Sequence, residues 1–444
     1  MLFNSYQFIF VFLPIALILY HLTPKEYKKI TLIILSIYFY AQSNIKFLYL
    51  LLIMLSINYL LAKILQKYPT KLYLFITIII NLLPLIYYKY KLYETASNTI
   101  PLAISFYTFQ LIAFQADIYN QKQKLTTLQD YLFFILFFPQ LIAGPIVHFK
   151  QIIPQTKLKT FIKPTTNYIN QAIILFSIGL FKKVILADNL APISNKAFDH
   201  INQLDSLLAI KGLLAYTLQI YFDFSAYSDM ALALALLFGI KLPINFYSPY
   251  KATNIVEFWR KWHITLSNFL RDYIYIPLGG SKKSHIRTII NLLTTMIIGG
   301  LWHGFGLNFM LWGFLHGLLL TFNHTIKFKF LPKIVSILLT FTSVSLLWVL
   351  FRANSLQDAL IYYQTLFSPN YQLLITLIKD TQLIIILFIT LTLFILPNSI
   401  EYSKFQAKNP TFKKSQAILS AFMLFLSLKM LASNPPQEFV YFNF

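Results

Sequence analysis

The stretch Ile45-Lys46-Phe47-Leu48-Tyr49-Leu50-Leu51-Leu52-Ile53-Met54-Leu55-Ser56-Ile57-Asn58-Tyr59-Leu60-Leu61-Ala62-Lys63-Ile64-Leu65 decides the fold. An apolar run of this length matches the about 20 residues of helix that cross a bilayer core. Runs of the same character recur from end to end, Leu72 to Tyr88 and Leu383 to Leu396 among them. They lack the alternation of barrel strands. The chain reads as an all-α polytopic membrane protein, and its length allows about 12 transmembrane helices with their connections.

Composition agrees. Of the 444 residues 57% are apolar and 12% charged, where a soluble domain carries roughly twice that charged fraction. This excludes a soluble enzyme with one large core. The 37 Lys and Arg outnumber the 15 Asp and Glu by 22, but many sit in short loops between apolar runs. There they report orientation rather than nucleic-acid binding. The chain has no cysteine, which removes disulfides, thiolate nucleophiles and Cys-ligated metals.

The first apolar segment, Phe8 to Tyr20, has no basic residue before it and Lys25, Lys28 and Lys29 after it. A signal peptide shows the reverse order, so a retained helix with an external N-terminus is expected. A lysine-rich stretch before the last apolar segment is cytoplasmic on the same rule, which places the tail 434–444 outside. Both termini are thus expected to be extracytoplasmic, flanking one membrane domain over 1–433. In Phe138-Pro139-Gln140-Leu141-Ile142-Ala143-Gly144-Pro145 the prolines interrupt the helix. Irregular backbone at membrane depth survives only against protein or a cavity, so re-entrant segments are expected near 131–147 and 228–240.

Ionisable residues inside a membrane are costly and mark function. Between Gln219 and His316 lie Asp223, Asp229, Glu257 and Asp272, together with His263, His285, His303 and His316. Within this region, Asn254 to Arg271 reads as one amphipathic interfacial helix. Ile255, Trp259, Trp262, Leu266 and Phe269 form its apolar stripe, and Arg260, His263, Ser267 and Arg271 share another face that suits anionic lipid. In Gly299-Gly300-Leu301-Trp302-His303-Gly304 a histidine ends an apolar helix among glycines that admit close approach of backbone or ligand. An imidazole with a near-neutral pKa suits general-base work. His316 is expected to pack between helices or support the site, and His148 to face the same cavity. No His and carboxylate spacing completes a metal ligand set, so no metal is expected.

These residues resemble the membrane-bound O-acyltransferases. The resemblance is carried by Phe258-Trp259-Arg260-Lys261-Trp262-His263, Gly300-Leu301-Trp302-His303-Gly304, Tyr221-Phe222-Asp223-Phe224-Ser225, Pro139 to Pro145 and Tyr275-Ile276-Pro277-Leu278-Gly279-Gly280. Met1-Leu2-Phe3-Asn4-Ser5-Tyr6 and Asn245-Phe246-Tyr247-Ser248-Pro249-Tyr250 are similar to the branch that acetylates alginate or peptidoglycan. The resemblance implies a tunnel through the helices with its catalytic region at about 217–320. It implies His303 as the base that activates the attacking hydroxyl and His263 as the residue that orients or polarises the acyl thioester. The tail Phe439-Val440-Tyr441-Phe442-Asn443-Phe444 reads by composition as an aromatic interfacial anchor; it also resembles a terminal motif whose tyrosine relays acyl groups. Asp223, Arg260, Arg271, His148, Trp302 and His316 are then substrate-side or supporting residues.

The expected reaction is transfer of acetyl from a cytoplasmic thioester, acetyl-CoA, to a periplasmic or surface glycan with the help of a periplasmic acetyltransferase. No bound cofactor is expected. Lys282, Lys283 and Arg287 are candidates for the donor's phosphates. Two other readings stand beside this one: a D-alanyl transferase fed by an acyl carrier protein, and a glycan or acyl transporter without covalent chemistry.

Overall fold

The computed structural model describes the chain except for 96–99, 326–330, 369–378, 408–413, 435–436 and 441–444, with the side chains of 95 and 404–407 also left out. Tyr441 and most of the lysine-rich stretch before the last helix therefore lie outside the described residues. Among those residues the fold is helical without strands. In chain order the helices are α1 (Leu13–Leu22), α2 (Lys28–Ala41), α3 (Ile45–Lys67), α4 (Lys71–Thr95), α5 (Ile104–Tyr119), α6 (Leu128–Leu136) and α7 (Thr166–Phe181). They continue with α8 (Asp188–Asp199), α9 (Ser206–Leu237), α10 (Ile255–Lys261), α11 (Ile264–Leu270), α12 (His285–His303), α13 (Leu307–Thr325) and α14 (Lys333–Arg352). The last are α15 (Leu356–Phe367), α16 (Thr381–Ile395), α17 (Ser399–Ala407) and α18 (Lys414–Ser433). Six stretches of the described residues are long and apolar enough to cross a membrane: α3, α4, α7 running into α8, α9, α14 and α18. Gln7–Leu22 and α16 are shorter apolar helices.

The chain divides into two compact units. The first comprises Met1–Phe181, Ala226–Ile244 and Ser399–Phe444. Its helices α3, α4 and α5 are joined by a buried amide cluster. The Asn58 and Asn81 side chains exchange hydrogen bonds at 2.9 and 2.8 Å, and Gln115 Nε2 donates to the Asn58 carbonyl at 2.8 Å. Apolar burial gives no preference between lipid and a neighbouring helix, so such polar contacts choose the partner. As expected from Pro139, α6 stops at Leu136, and residues 133–147 are buried. The broken backbone is satisfied locally: the Phe138 N–H donates to Ser36 Oγ at 3.0 Å.

The second expected break is absent. A re-entrant segment is expected near 228–240, yet Ser206–Leu237 is one continuous, almost wholly buried helix. The polar residues within it are compatible with a helix once their charges are met.

Asp223 shows how, within the second unit, Lys182–Ser225 and Asn245–Asn398. The Lys183 ammonium, 1% exposed, lies 2.8 Å from Asp223 Oδ1 and 2.8 Å from Asp188 Oδ1. Lys183 occupies a π-helical turn, Lys182–Ala187, between α7 and α8. The pairing ties the start of α8 to α9. Breaking a buried pair by removing one partner costs about 3–5 kcal/mol. Lys183→Met is therefore expected to lower the thermal midpoint of the detergent-solubilised protein sharply. The double substitution Lys183→Met with Asp223→Asn should lose less than the sum of the two single changes.

Candidate active site

The second unit builds its site on two helices that touch through glycine. A Cβ on Gly300 of α12 would meet the Phe309 carbonyl oxygen at 2.3 Å, and one on Gly313 of α13 would meet the Met296 carbonyl oxygen at 2.3 Å. Gly317 faces Leu293 in the same way at 3.1 Å. Small residues spaced by four allow such contact between helices in lipid. The glycines around His303 thus serve backbone approach between helices.

This contact places α13 beside the end of α12. The His303 ring lies 5.4 Å from Trp312, and Trp312 lies 4.7 Å from His316. Trp302 covers His303 at 4.7 Å and Phe351 of α14 covers it at 4.8 Å. Phe351 is held there because Asn308 Nδ2, at the start of α13, donates to the Leu350 and Ala353 carbonyls at 3.1 and 2.9 Å. Those are carbonyls that the end of α14 leaves without helical partners.

His263 reaches the same cluster by a different route. The single amphipathic helix expected over Asn254–Arg271 is two helices, α10 and α11, that meet at Trp262-His263. His263 has φ +41°, a left-handed conformation uncommon outside glycine, in which histidine is enriched. The break is imposed from residue 245. Asn245 Oδ1 accepts from the Thr265 N–H at 3.2 Å and the Thr265 hydroxyl at 3.0 Å, and the Ile264 N–H donates to the Asn245 carbonyl at 2.9 Å. His263 is turned inward and fully buried. It packs on Phe224 at 4.7 Å and Trp302 at 6.3 Å. It does not share a face with Arg260, which is exposed, or with Arg271, which pairs with Asp272 at 2.8 Å.

Geometry also fixes its tautomer. His263 Nδ1 lies 3.2 Å from Asn245 Oδ1. Because a backbone N–H already donates to that atom, it is the amide oxygen. Nδ1 therefore carries the proton and Nε2 the lone pair. Burial pushes the imidazole down to about 3, so the ring is neutral at physiological pH.

The rings thus run His263, Trp302, His303, Trp312, His316, each packed on the next. The chain's five tryptophans, 259, 262, 302, 312 and 348, all belong to this cluster. His316 is fully buried, with Trp259 at 5.1 Å. Among the described residues neither of its ring nitrogens has a hydrogen-bond partner, and the same holds for the indole N–H groups of Trp259 and Trp312. A neutral cavity of about 470 Å³ lies further along α13. It is lined by Leu319 and Asn323 with Thr253, Ser336, Thr340 and Ser343.

Of the expected residues, the structure brings together His263, Trp302, His303 and His316. His148 belongs to the first unit, where its Nδ1 is 3.4 Å from Asp117. Asp223 is held by Lys183. Asn245, Trp312, Trp348 and Phe351 were not singled out as site residues. The confinement of every tryptophan to 259–348 was the available signal. Among the described residues no three metal-ligating side chains converge.

Comparison with known proteins gives these motifs their family. Residues 125–334 match the model of the membrane-bound O-acyltransferase family. The chain is 42% identical over 415 residues to the peptidoglycan O-acetyltransferase of Helicobacter pylori, covering 81% of this chain and 78% of that protein. This chain belongs to the membrane-bound O-acyltransferase family. It is a multi-pass membrane acyltransferase. It is also 37% identical over 396 residues to the probable alginate O-acetylase AlgI of Pseudomonas aeruginosa, covering 83% of this chain and 75% of that protein. The teichoic acid D-alanyltransferase of Streptococcus thermophilus is more distant, 30% identical over 238 residues, with 50% and 56% covered.

Two outcomes follow from the packing. Gly300→Ala must push α13 away from His303, and misplacement on the order of 1 Å costs about a hundredfold in rate. Gly299→Ala meets only the Leu270 Cδ1 at 3.1 Å, so in an acyl-transfer assay its loss should be far smaller. Second, the folded chain resists the proton that the unfolded chain takes up at His263 below about pH 6.5. Stability measured as a thermal midpoint should therefore fall as pH drops below that value, and His263→Asn should flatten the slope.

Proposed function

We propose that this acyltransferase moves acetyl groups from a cytoplasmic thioester, acetyl-CoA, across the cytoplasmic membrane to a periplasmic or surface glycan. Peptidoglycan is the first candidate acceptor and an alginate-like polysaccharide the second, in the order of identity to the two acetylating relatives. Both termini are taken as extracytoplasmic. The observation that carries the reading is the packing of His263 and His303 on the same Trp302 inside a buried aromatic wall.

His303 acts as general base. It takes the proton of an attacking hydroxyl while the oxygen adds to the thioester carbonyl carbon. The C–S bond then breaks, and the proton leaves with the thiolate as the free thiol. The proposed first acceptor is the phenol of Tyr441. The phenol ester then passes its acetyl to a glycan hydroxyl presented by a periplasmic acetyltransferase, and the phenol recovers its proton. A phenol ester is more reactive than an alkyl ester, so this second step runs downhill.

The tautomer of His263 refines its role. A carbonyl is polarised by a donor, whereas neutral His263 offers a lone pair at Nε2. This favours orienting a hydroxyl or amide N–H over polarising the thioester. Trp302 and His316 support the two rings from the same wall. The cations Lys282, Lys283 and Arg287 fit orientation better than donor binding, because about 27 Å of helix separates His285 from His303.

The test uses radiolabelled acetyl-CoA with membranes and acceptor glycan. The wild type should transfer label to glycan, and His303→Ala should lose about 10²–10⁴-fold, the span of general-base catalysis. Full activity in His303→Ala would overturn the mechanism. Tyr441→Phe should lose protein-bound label and glycan transfer together. Label from a D-alanyl carrier in place of acetyl-CoA would make the donor D-alanine.

A further inference from the structure

The N-terminal motif Leu2-Phe3-Asn4 has no part in the site described above, yet it is buried against the far end of the chain. Asn4 is fully buried, and its Nδ2 donates to the Gln437 carbonyl at 3.1 Å. Phe3, 1% exposed, stacks on Tyr227 with ring centroids 4.9 Å apart at 18°. Tyr227 in turn receives Phe439 edge-on at 5.0 Å and 85°. Phe439 is 1% exposed. The Ala143 backbone, from the proline-broken segment, lies beside the Tyr227 hydroxyl. Nearby, Tyr6 donates its hydroxyl to the Leu428 carbonyl of α18 at 2.6 Å. All of these residues belong to the first unit.

An aromatic tail that served only as an interfacial anchor would turn its rings toward the headgroups. Phe439 is enclosed by protein instead. Chain ends are poorly ordered unless tied down. This end is tied by a main-chain carbonyl and one aromatic ring, so the dock reads the path of the tail and a single side chain two residues before Tyr441. Two residues of extended chain span at most about 7 Å, so a seated Phe439 limits how far that tyrosine can travel.

We propose that Phe3, Asn4 and Tyr227 form a dock that seats the C-terminal tail in its working register, which makes them positioning residues for the acyl-transfer step. The proposal rests on the relay reading of Tyr441. It gives the opening motif and the terminal aromatic motif one shared role, joined through Tyr227 of α9. Holding a reacting group in place raises its effective concentration at the reaction centre.

The absence of cysteine from the chain makes the test clean. In the Asn4→Cys/Gln437→Cys protein a short bifunctional thiol reagent should join the two ends, read as linked peptides by mass spectrometry. The control pair Tyr27→Cys/Gln437→Cys should not join. Cross-linking should raise glycan acetylation above that of the same double-cysteine protein before linking, because the link restores the docked position that the lost Asn4 amide had held. Asn4→Leu and Phe439→Ala should lower kcat by on the order of ten- to a hundredfold, with KM for acetyl-CoA and the thermal midpoint unchanged, and Phe439→Tyr should restore the rate. Failure to cross-link would overturn the dock, and so would loss of activity on cross-linking. If the link forms while Phe439→Ala and Tyr441→Phe are both fully active, the relay reading fails and the positioning role fails with it, leaving only a structural contact.

Discussion

The candidate active site depends on one contact, backbone against backbone between α12 and α13. In lipid, two apolar helices gain little from leaving hydrocarbon for each other, so association has to come from close packing and polar contacts. Gly300 and Gly313 supply the closeness. With any side chain at either position a carbonyl oxygen would be met at 2.3 Å, and α13 would have to move away. Trp312 and His316 ride on α13, one turn apart, so the distance from His303 to Trp312 is set by that contact and His316 follows. The end of α14 follows, since Asn308 clamps it and so delivers Phe351 to the other side of His303.

The second half of the site obeys a different constraint. His263 is placed by a segment 18 residues earlier in sequence, through the Asn245 side chain and main chain. This is why the break between α10 and α11 was not legible. The apolar positions 255, 259, 262, 266 and 269 keep helical spacing straight through it, and no glycine or proline marks it. Only the tertiary partner at 245 does. The same blindness produced the opposite error in α9. Asp223, Ser225, Ser228 and Asp229 look like an interruption to anyone counting polar residues, and the compensating Lys183 lies 40 residues away. Local pattern identified the other long helices because apolar periodicity alone determines them. It singled out His263 and His303 because an imidazole in apolar sequence is conspicuous. It assigned His263 to the wrong face because a face exists only if the helix is continuous.

Polar groups in this fold therefore do two jobs. In the first unit the Asn58, Asn81 and Gln115 amides pair with one another and with main chain, which selects helix neighbours. In the second unit the Lys183 ammonium is shared by the Asp188 and Asp223 carboxylates, which fixes α8 against α9. Both sets direct their polar contacts at the scaffold. His316, Trp259 and Trp312 are different, since their ring nitrogens have no partner among the described residues. Buried polar groups without partners are uncommon in native proteins. Such atoms occur in the scaffold too, Tyr107 and Tyr216 hydroxyls and Gln115 Oε1 among them; what sets this wall apart is that they belong to rings packed around His303.

The composition of that wall bears on the reaction. A thioester or phenol ester is lost to hydrolysis wherever water has equal access, so an acyltransferase must keep water away from the carbonyl while still providing hydrogen-bonding groups. Tryptophan meets both demands, with a large rigid apolar surface and one N–H donor. Excluding water also strengthens every electrostatic interaction in the site. The same exclusion lowers the affinity of His263 for a proton, and this restricts its chemistry to that of a neutral ring whose Nδ1–H is committed to Asn245. A site that shared proton transfer equally between two histidines would need both to be readily protonated. Here one ring is held neutral and oriented by its surroundings, which is why the proposed reaction gives proton abstraction to His303 and leaves His263 an orienting role set by residue 245.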